Sequence, residues 1–159
     1  MNLQPGDILL WRVDPGAPLL DRLIGWAERR LGDQRSAAYY HVGFVSNATS
    51  LFYEAKPPRV CLAPIPNPLP PYVEVYRLRG SIDPTALRRV LDYADTRIGR
   101  LYDFLGVLTA GFIEVGGLEF CSQYTEDSFA AYPVELCPDV KFTTPDDVAN
   151  SAMLVRVQP

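Results

Sequence analysis

One histidine and three cysteines set the terms for nucleophilic or metal chemistry in this 159-residue chain. The histidine is His41, and the cysteines are Cys61, Cys121 and Cys137. A thiol becomes a useful nucleophile when its proton is easily lost, and a helix N-terminus or a nearby imidazole favours that loss. Cys121 directly follows Gly116-Gly117-Leu118-Glu119-Phe120 and opens a predicted helix, which is the position this chemistry requires. The plain alternative is a buried small hydrophobe. His41 lies within a predicted strand, so its side chain should face away from Tyr40 and Val42 and share a face with Tyr39 and Gly43. A glycine two positions on leaves room beside the imidazole. The alternative is an ordinary core or surface histidine. Glu54 sits in Leu51-Phe52-Tyr53-Glu54-Ala55, on a strand expected to pair with that of His41. A carboxylate there would fix the imidazole tautomer and stabilise the imidazolium. Its alternative is a solvent-facing strand glutamate. The three residues together make a Cys–His–acid set.

Other chemistries have few donors. The chain has no Cys-x-x-Cys or His-x-x-x-His pair, so a zinc site has few candidate ligands and no metal or cofactor is expected. An odd number of widely spaced cysteines argues against a disulfide framework and fits a reducing compartment.

Elements to position these residues can be read along the chain. Gly6 to Val13 is a short buried strand, followed by the turn signal Asp14-Pro15-Gly16. A helix carrying Leu20, Leu23, Ile24, Ala27 and Leu31 on one face follows, with Gly32 as its C-cap. Tyr39 to Ser46 and Leu51 to Lys56 form a β-hairpin. Pro57 to Pro71 holds seven of the fifteen prolines and is expected to be an extended loop. Val73 to Arg79 is a strand. Asp83-Pro84 caps a helix that carries Leu87, Val90, Leu91, Ala94 and Ile98 and ends at Gly99. Leu101 to Phe112 is expected to be helical, with Gly116-Gly117 breaking it, and Cys121 to about Ala131 is another helix. Thr144-Pro145-Asp146-Asp147 starts a further helix, and Met153 to Val157 closes as a strand. Segregated strands and helices predict an α+β fold with an antiparallel sheet packed against helices, in a single domain over residues 1–159.

Composition narrows the partners. Net charge is −4, and the basic residues are scattered, with Arg29-Arg30 and Arg88-Arg89 the densest pairs. Phosphate-backbone binding needs clustered cations, so nucleic acid is excluded as the expected partner. The longest uncharged apolar run, Phe104 to Ile113, is too short to span a bilayer. The first residues lack a basic region followed by an apolar one, so no signal peptide and a cytoplasmic location are expected.

The ordered set Gly-Asp-Ile-Leu, Tyr-His-Val-Gly, Tyr-Glu-Ala, Tyr-Asp-Phe, Phe-Cys-Ser-Gln-Tyr and Thr-Thr-Pro-Asp-Asp resembles the circularly permuted, papain-like NlpC/P60 group, the YiiX-like cysteine hydrolases. The likeness runs from Gly6 to about Ser151, and His41 precedes Cys121 as in the permuted branch. It implies a papain-like fold, with Cys121 as nucleophile, His41 as general base and acid, and Glu54 orienting the imidazole. Tyr102, in the Tyr-Asp pair, would line the site or assist the oxyanion. It implies no metal or cofactor. The substrate class would be an amide, foremost in a cell-wall (peptidoglycan) peptide, which a phage particle or another non-Sec route would have to reach. One departure is Gln123, where the family often reads Cys-Ser-Glu, a change that bears on local helix capping. Phe120-Cys121-Ser122-Gln123 also differs from the Asn-Cys-Glu-His core of the lecithin:retinol acyltransferase-like branch. Lipid acyl hydrolysis or transfer is therefore the second reading, and a non-catalytic binding or structural domain the third.

Overall fold

The structure, a computed structural model, describes residues 2–13, 38–80, 82–103, 119–138, 140 and 142–157. Six strands form one sheet: β1 (Ile8–Arg12), β2 (Tyr39–Val45), β3 (Leu51–Lys56), β4 (Arg59–Pro64), β5 (Val73–Leu78) and β6 (Leu154–Val157). Their spatial order is β4-β3-β2-β1-β5-β6, and every neighbouring pair is antiparallel. The helices among the described residues are α1 (Pro84–Arg97), α2 (Cys121–Ala130) and α3 (Pro145–Ala149). The antiparallel sheet with helices matches the expected class. The predicted helix around Leu20 to Leu31, and Gly116-Gly117, lie outside the described residues.

Alternation along the strands creates two apolar layers. Ile8, Leu10, Val42, Phe44, Tyr53 and Ala55 face the helices, where Val90, Leu91 and Ala94 of α1, Tyr124 and Phe129 of α2, and Val148 of α3 complete the main core. Leu9, Trp11, Val45, Phe52, Ala63, Val73 and Val75 form a second cluster on the opposite face. Polar atoms tie the helices to the sheet. The Tyr53 hydroxyl donates to Asp95 at 2.7 Å, and the buried Tyr124 hydroxyl donates to the Ala94 carbonyl at 3.1 Å. Helix α1 starts as expected, with the Asp83 carboxylate accepting from the backbone N–H groups of Thr85 and Ala86. Just beyond its end, Gly99 takes φ +89°, a conformation that strains any residue with a Cβ.

Three expectations are corrected. Pro57 to Pro71 is not all loop, because Arg59–Pro64 is a strand that pairs residue for residue with β3. It tolerates Pro64 because β4 is an edge strand and Pro64 is its last residue. Leu101 to Asp103 is not the start of a helix: Leu101 bridges Arg59, and Tyr102 bridges Glu119. Residues 104–112 of that predicted helix lie outside the described residues. Tyr39 does not share a face with His41, because the β1–β2 register shifts between Trp11 and Arg12. This irregularity sends Tyr39 into the main core, while the next residue, Tyr40, packs against the opposite cluster with Trp11.

Candidate active site

His41 is set by strand pairing. It lies directly opposite Trp11 of β1, and the two rings pack with centroids 5.1 Å apart. On the other side of β2, the ladder with β3 runs from Val45↔Phe52 to Gly43↔Glu54 and stops there. His41 and Glu54 are therefore diagonal neighbours across the end of that ladder, within reach for long side chains. The Nε2 of His41 stands 2.8 Å from Glu54 Oε2. Glu54 is not solvent-facing; its side chain is 3% exposed. Its other oxygen, Oε1, is ion-paired with Lys56 and stands 3.9 Å from the Cys61 thiol, which can donate to it.

Gly43 explains why the two strands approach so closely. A Cβ built there would stand 2.5 Å from the Tyr53 carbonyl oxygen and 2.8 Å from the Phe52 ring. The space beside this glycine is thus taken by β3, not only by the imidazole.

Cys121 arrives from the helix layer. It is the first residue of α2, and its N-cap Phe120 makes no side-chain capping hydrogen bond. Gln123, the departure from Cys-Ser-Glu, takes no part in a cap and donates instead to Asp127 at 2.7 Å, one turn along. The approach to α2 is fixed by extended backbone. The Tyr102 N–H donates to the Pro58 carbonyl, the Asp103 N–H to the Glu119 carbonyl, and the Glu119 N–H to the Leu101 carbonyl. The Glu119 carboxylate is clamped by Arg97 at 2.8 Å and Arg100 at 3.1 Å. Within α2, Ser122 Oγ donates to the Thr143 carbonyl and Thr125 Oγ1 to the Cys121 carbonyl. This brings the Cys121 thiol beside the His41 imidazole, near enough to favour the charged form of the ring. Glu54 engages the Nε2 of the ring. Cys121 itself is 1% exposed.

The electrostatics follow from this row of groups. Burial works against a charged imidazole, but the hydrogen bonds and charges of Cys121 and Glu54 outweigh it and raise the His41 pKa from 6.5 to about 9. Burial likewise works against ionised Glu54, and the bonds and charges of His41 and Lys56 prevail, holding its pKa below 4.5. Burial pushes the Cys137 thiol up to about 12, and burial beside Glu54 raises that of Cys61. None of the three cysteines is in a disulfide.

A cavity of about 410 Å³ opens beside His41, within the usual size range of small-molecule sites. Trp11, Tyr40, Phe52, Pro57, Pro64 and Pro66 supply its apolar walls, and His41, Glu54, Lys56 and Tyr102 its polar ones. Of the four candidates from the sequence, His41, Glu54 and Tyr102 line this cavity, with His41 and Glu54 hydrogen-bonded, while Cys121 is buried behind the wall on the His41 side. Sequence reasoning missed Lys56, although period-2 alternation puts Phe52, Glu54 and Lys56 on one face. It also missed Asp146. That residue was read only as an acid in the first turn of α3, yet its carboxylate accepts the Ala38 N–H at 2.9 Å and so anchors the strand that carries His41. Among the described residues no group of three or more His, Cys, Asp or Glu side chains is placed to hold a metal ion. Nor do they include a helix long and apolar enough to cross a membrane.

In sequence, neither the protein-family models nor the curated proteins give a match. In fold, the chain is similar to the crystal structure of the metalloprotein YiiX from Escherichia coli O157:H7, a DUF1105 protein. The TM-score is 0.70 at 15% identity, over 98% of this chain and 97% of that one. The chain has a YiiX-like fold.

Proposed function

We propose that this protein is a cysteine hydrolase that cleaves an amide bond through a thioester, on a circularly permuted papain-like fold of the NlpC/P60 type. The observation that carries the reading is the His41–Glu54 hydrogen bond beside Cys121, with the thiol on the first residue of a helix. The YiiX-like fold is compatible with it, and the catalytic reading rests on the site.

The chemistry follows from this arrangement. Cys121 gives its proton to His41, and the sulfur attacks the substrate carbonyl carbon. The first-turn N–H groups of a helix lack intrahelical partners, so the Cys121 N–H can donate to the resulting oxyanion. Tyr102 stands in the wall of the same cavity. Collapse breaks the C–N bond, and His41 gives its proton to the leaving amine. A water then loses a proton to His41 as it attacks the thioester, the C–S bond breaks, and Cys121 is restored. Glu54 keeps the ring oriented and its positive charge stabilised throughout.

YiiX is described as a metalloprotein, but these residues do not fit a metal centre. The Nε2 of His41 is engaged by Glu54, and among the described residues no three His, Cys, Asp or Glu side chains are grouped to hold a metal ion. No step here passes through a metal. The substrate class proposed is an amide in a cell-wall peptide, on the strength of the family resemblance. The lipid-acyl alternative relies on an apolar rim from residues 104–112, which lie outside the described residues.

The test is acid-quench trapping of an acyl-enzyme formed from an activated ester such as p-nitrophenyl acetate. One acyl group on Cys121, lost in both Cys121→Ala and His41→Ala, is the expected result. Acylation that is indifferent to His41 would refute the mechanism and favour a non-catalytic domain.

A further inference from the structure

We propose that Lys56 makes this pocket selective for ligands that carry an anionic group next to the reacting carbonyl. The inference deepens the hydrolase reading and rests on it for the identity of the reacting centre.

The argument is one of placement and exposure. Lys56 lines the same cavity as His41 and Tyr102. Its ammonium is held against Glu54 by an ion pair with Oε1, the oxygen that His41 does not use. The three charged groups of this wall differ in exposure. The Glu54 side chain is 3% exposed, whereas those of His41 and Lys56 are 14% and 53% exposed. The acid is covered, the imidazole is largely buried, and the Lys56 ammonium is the exposed charge. The exposed charge that an arriving ligand meets in this wall is the Lys56 ammonium, although the chain as a whole carries −4. The surrounding Trp11, Phe52, Pro57 and Pro64 provide low-dielectric walls, which strengthen such a local field. A carboxylate near the scissile bond would be drawn to the Lys56 ammonium, and a cationic group at that place would be repelled.

Two alkylating reagents that differ in charge test this without a known substrate. The rates at which iodoacetate and iodoacetamide modify Cys121 are measured by peptide mass spectrometry in the wild type, Lys56→Met and Lys56→Arg. A unit charge about 10 Å from the thiol, with Glu54 and His41 between them, should change the iodoacetate-to-iodoacetamide ratio by about twofold. The ratio should fall by that factor in Lys56→Met and be restored in Lys56→Arg. In the wild type it should also fall as ionic strength rises from about 0.01 M to about 0.5 M, a measurement that needs no variant. An unchanged ratio in Lys56→Met, or one insensitive to salt, overturns the proposal. If the ratio is flat while alkylation still depends on His41, only the role of Lys56 is lost. If the ratio behaves as expected but His41→Ala leaves alkylation unchanged, the hydrolase reading is lost and the anion selectivity stands. A Cys121 that neither reagent reaches overturns both.

Discussion

Replacing Glu54 by Gln removes one charge from the hydrogen-bonded His41–Glu54 pair while leaving a side chain of nearly the same shape, and the effect can be read on a single atom. His41 is the only histidine, so its ring proton gives one unambiguous NMR titration. In the wild type that titration should centre near 9 rather than 6.5. The gap is worth about 3 kcal/mol of preference for the charged ring in the folded state. An opposite charge in direct contact typically moves a pKa by about one unit or more. Glu54→Gln should therefore bring the His41 midpoint below about 8, because burial persists and Cys121 alone opposes it. The consequence for stability has a definite sign. A group whose pKa is raised on folding stabilises fully below its unfolded value of 6.5 and loses that contribution as pH rises through about 9. Glu54, held below 4.5, stabilises above that value and loses its contribution on acidification. The pair is thus at full strength between these two values. Urea unfolding across pH should show wild-type stability declining from neutral to alkaline pH, with a flatter profile in Glu54→Gln. A wild-type His41 that titrates at or below 6.5, or a midpoint unmoved by Glu54→Gln, would refute the reasoning.

Gly43→Ala should cost about 1–3 kcal/mol, as overpacking typically does, because its Cβ would meet the Tyr53 carbonyl at 2.5 Å. The denaturation midpoint measures the loss, and the displaced β3 should also lower the His41 midpoint. Thr144→Ala removes the capping box in which Thr144 and Asp147 exchange hydrogen bonds, and should cost about 1 kcal/mol. The same change should loosen the Asp146 hold on Ala38, seen as faster amide hydrogen exchange at Ala38 than in the wild type.

Much of this architecture is legible in the sequence, for physical reasons that differ by element. Alternating β-branched and aromatic residues mark β2, β3 and β5, and the cap chemistry of Asp83 and Thr144 marks the starts of α1 and α3. Cys121 and His41 could be brought together because each sits on an element whose start or face is locally encoded. What escaped is non-local. Strand β4 is preceded by Pro57-Pro58 and ends on Pro64, and this proline content masks the pairing competence of Val60-Cys61-Leu62-Ala63. The extended course of Leu101 to Asp103 is decided by its bridges to Arg59 and Glu119, not by its apolar composition. The irregularity that turns Tyr39 away from His41 depends on register with β1, which no short-range pattern encodes. Lys56 was overlooked because an exposed strand lysine is usually only solvated; its importance comes from the buried carboxylate beneath it.

The most direct test of the central claim is the pH–rate profile for alkylation of Cys121 by iodoacetamide, in the wild type and in His41→Ala. Cys61 and Cys137 provide internal references in the same sample, since burial works against ionisation of both. The account predicts that Cys121 is the fastest of the three near neutral pH and that His41→Ala abolishes this advantage. A Cys121 no faster than Cys61 or Cys137, or equally fast without His41, would contradict it.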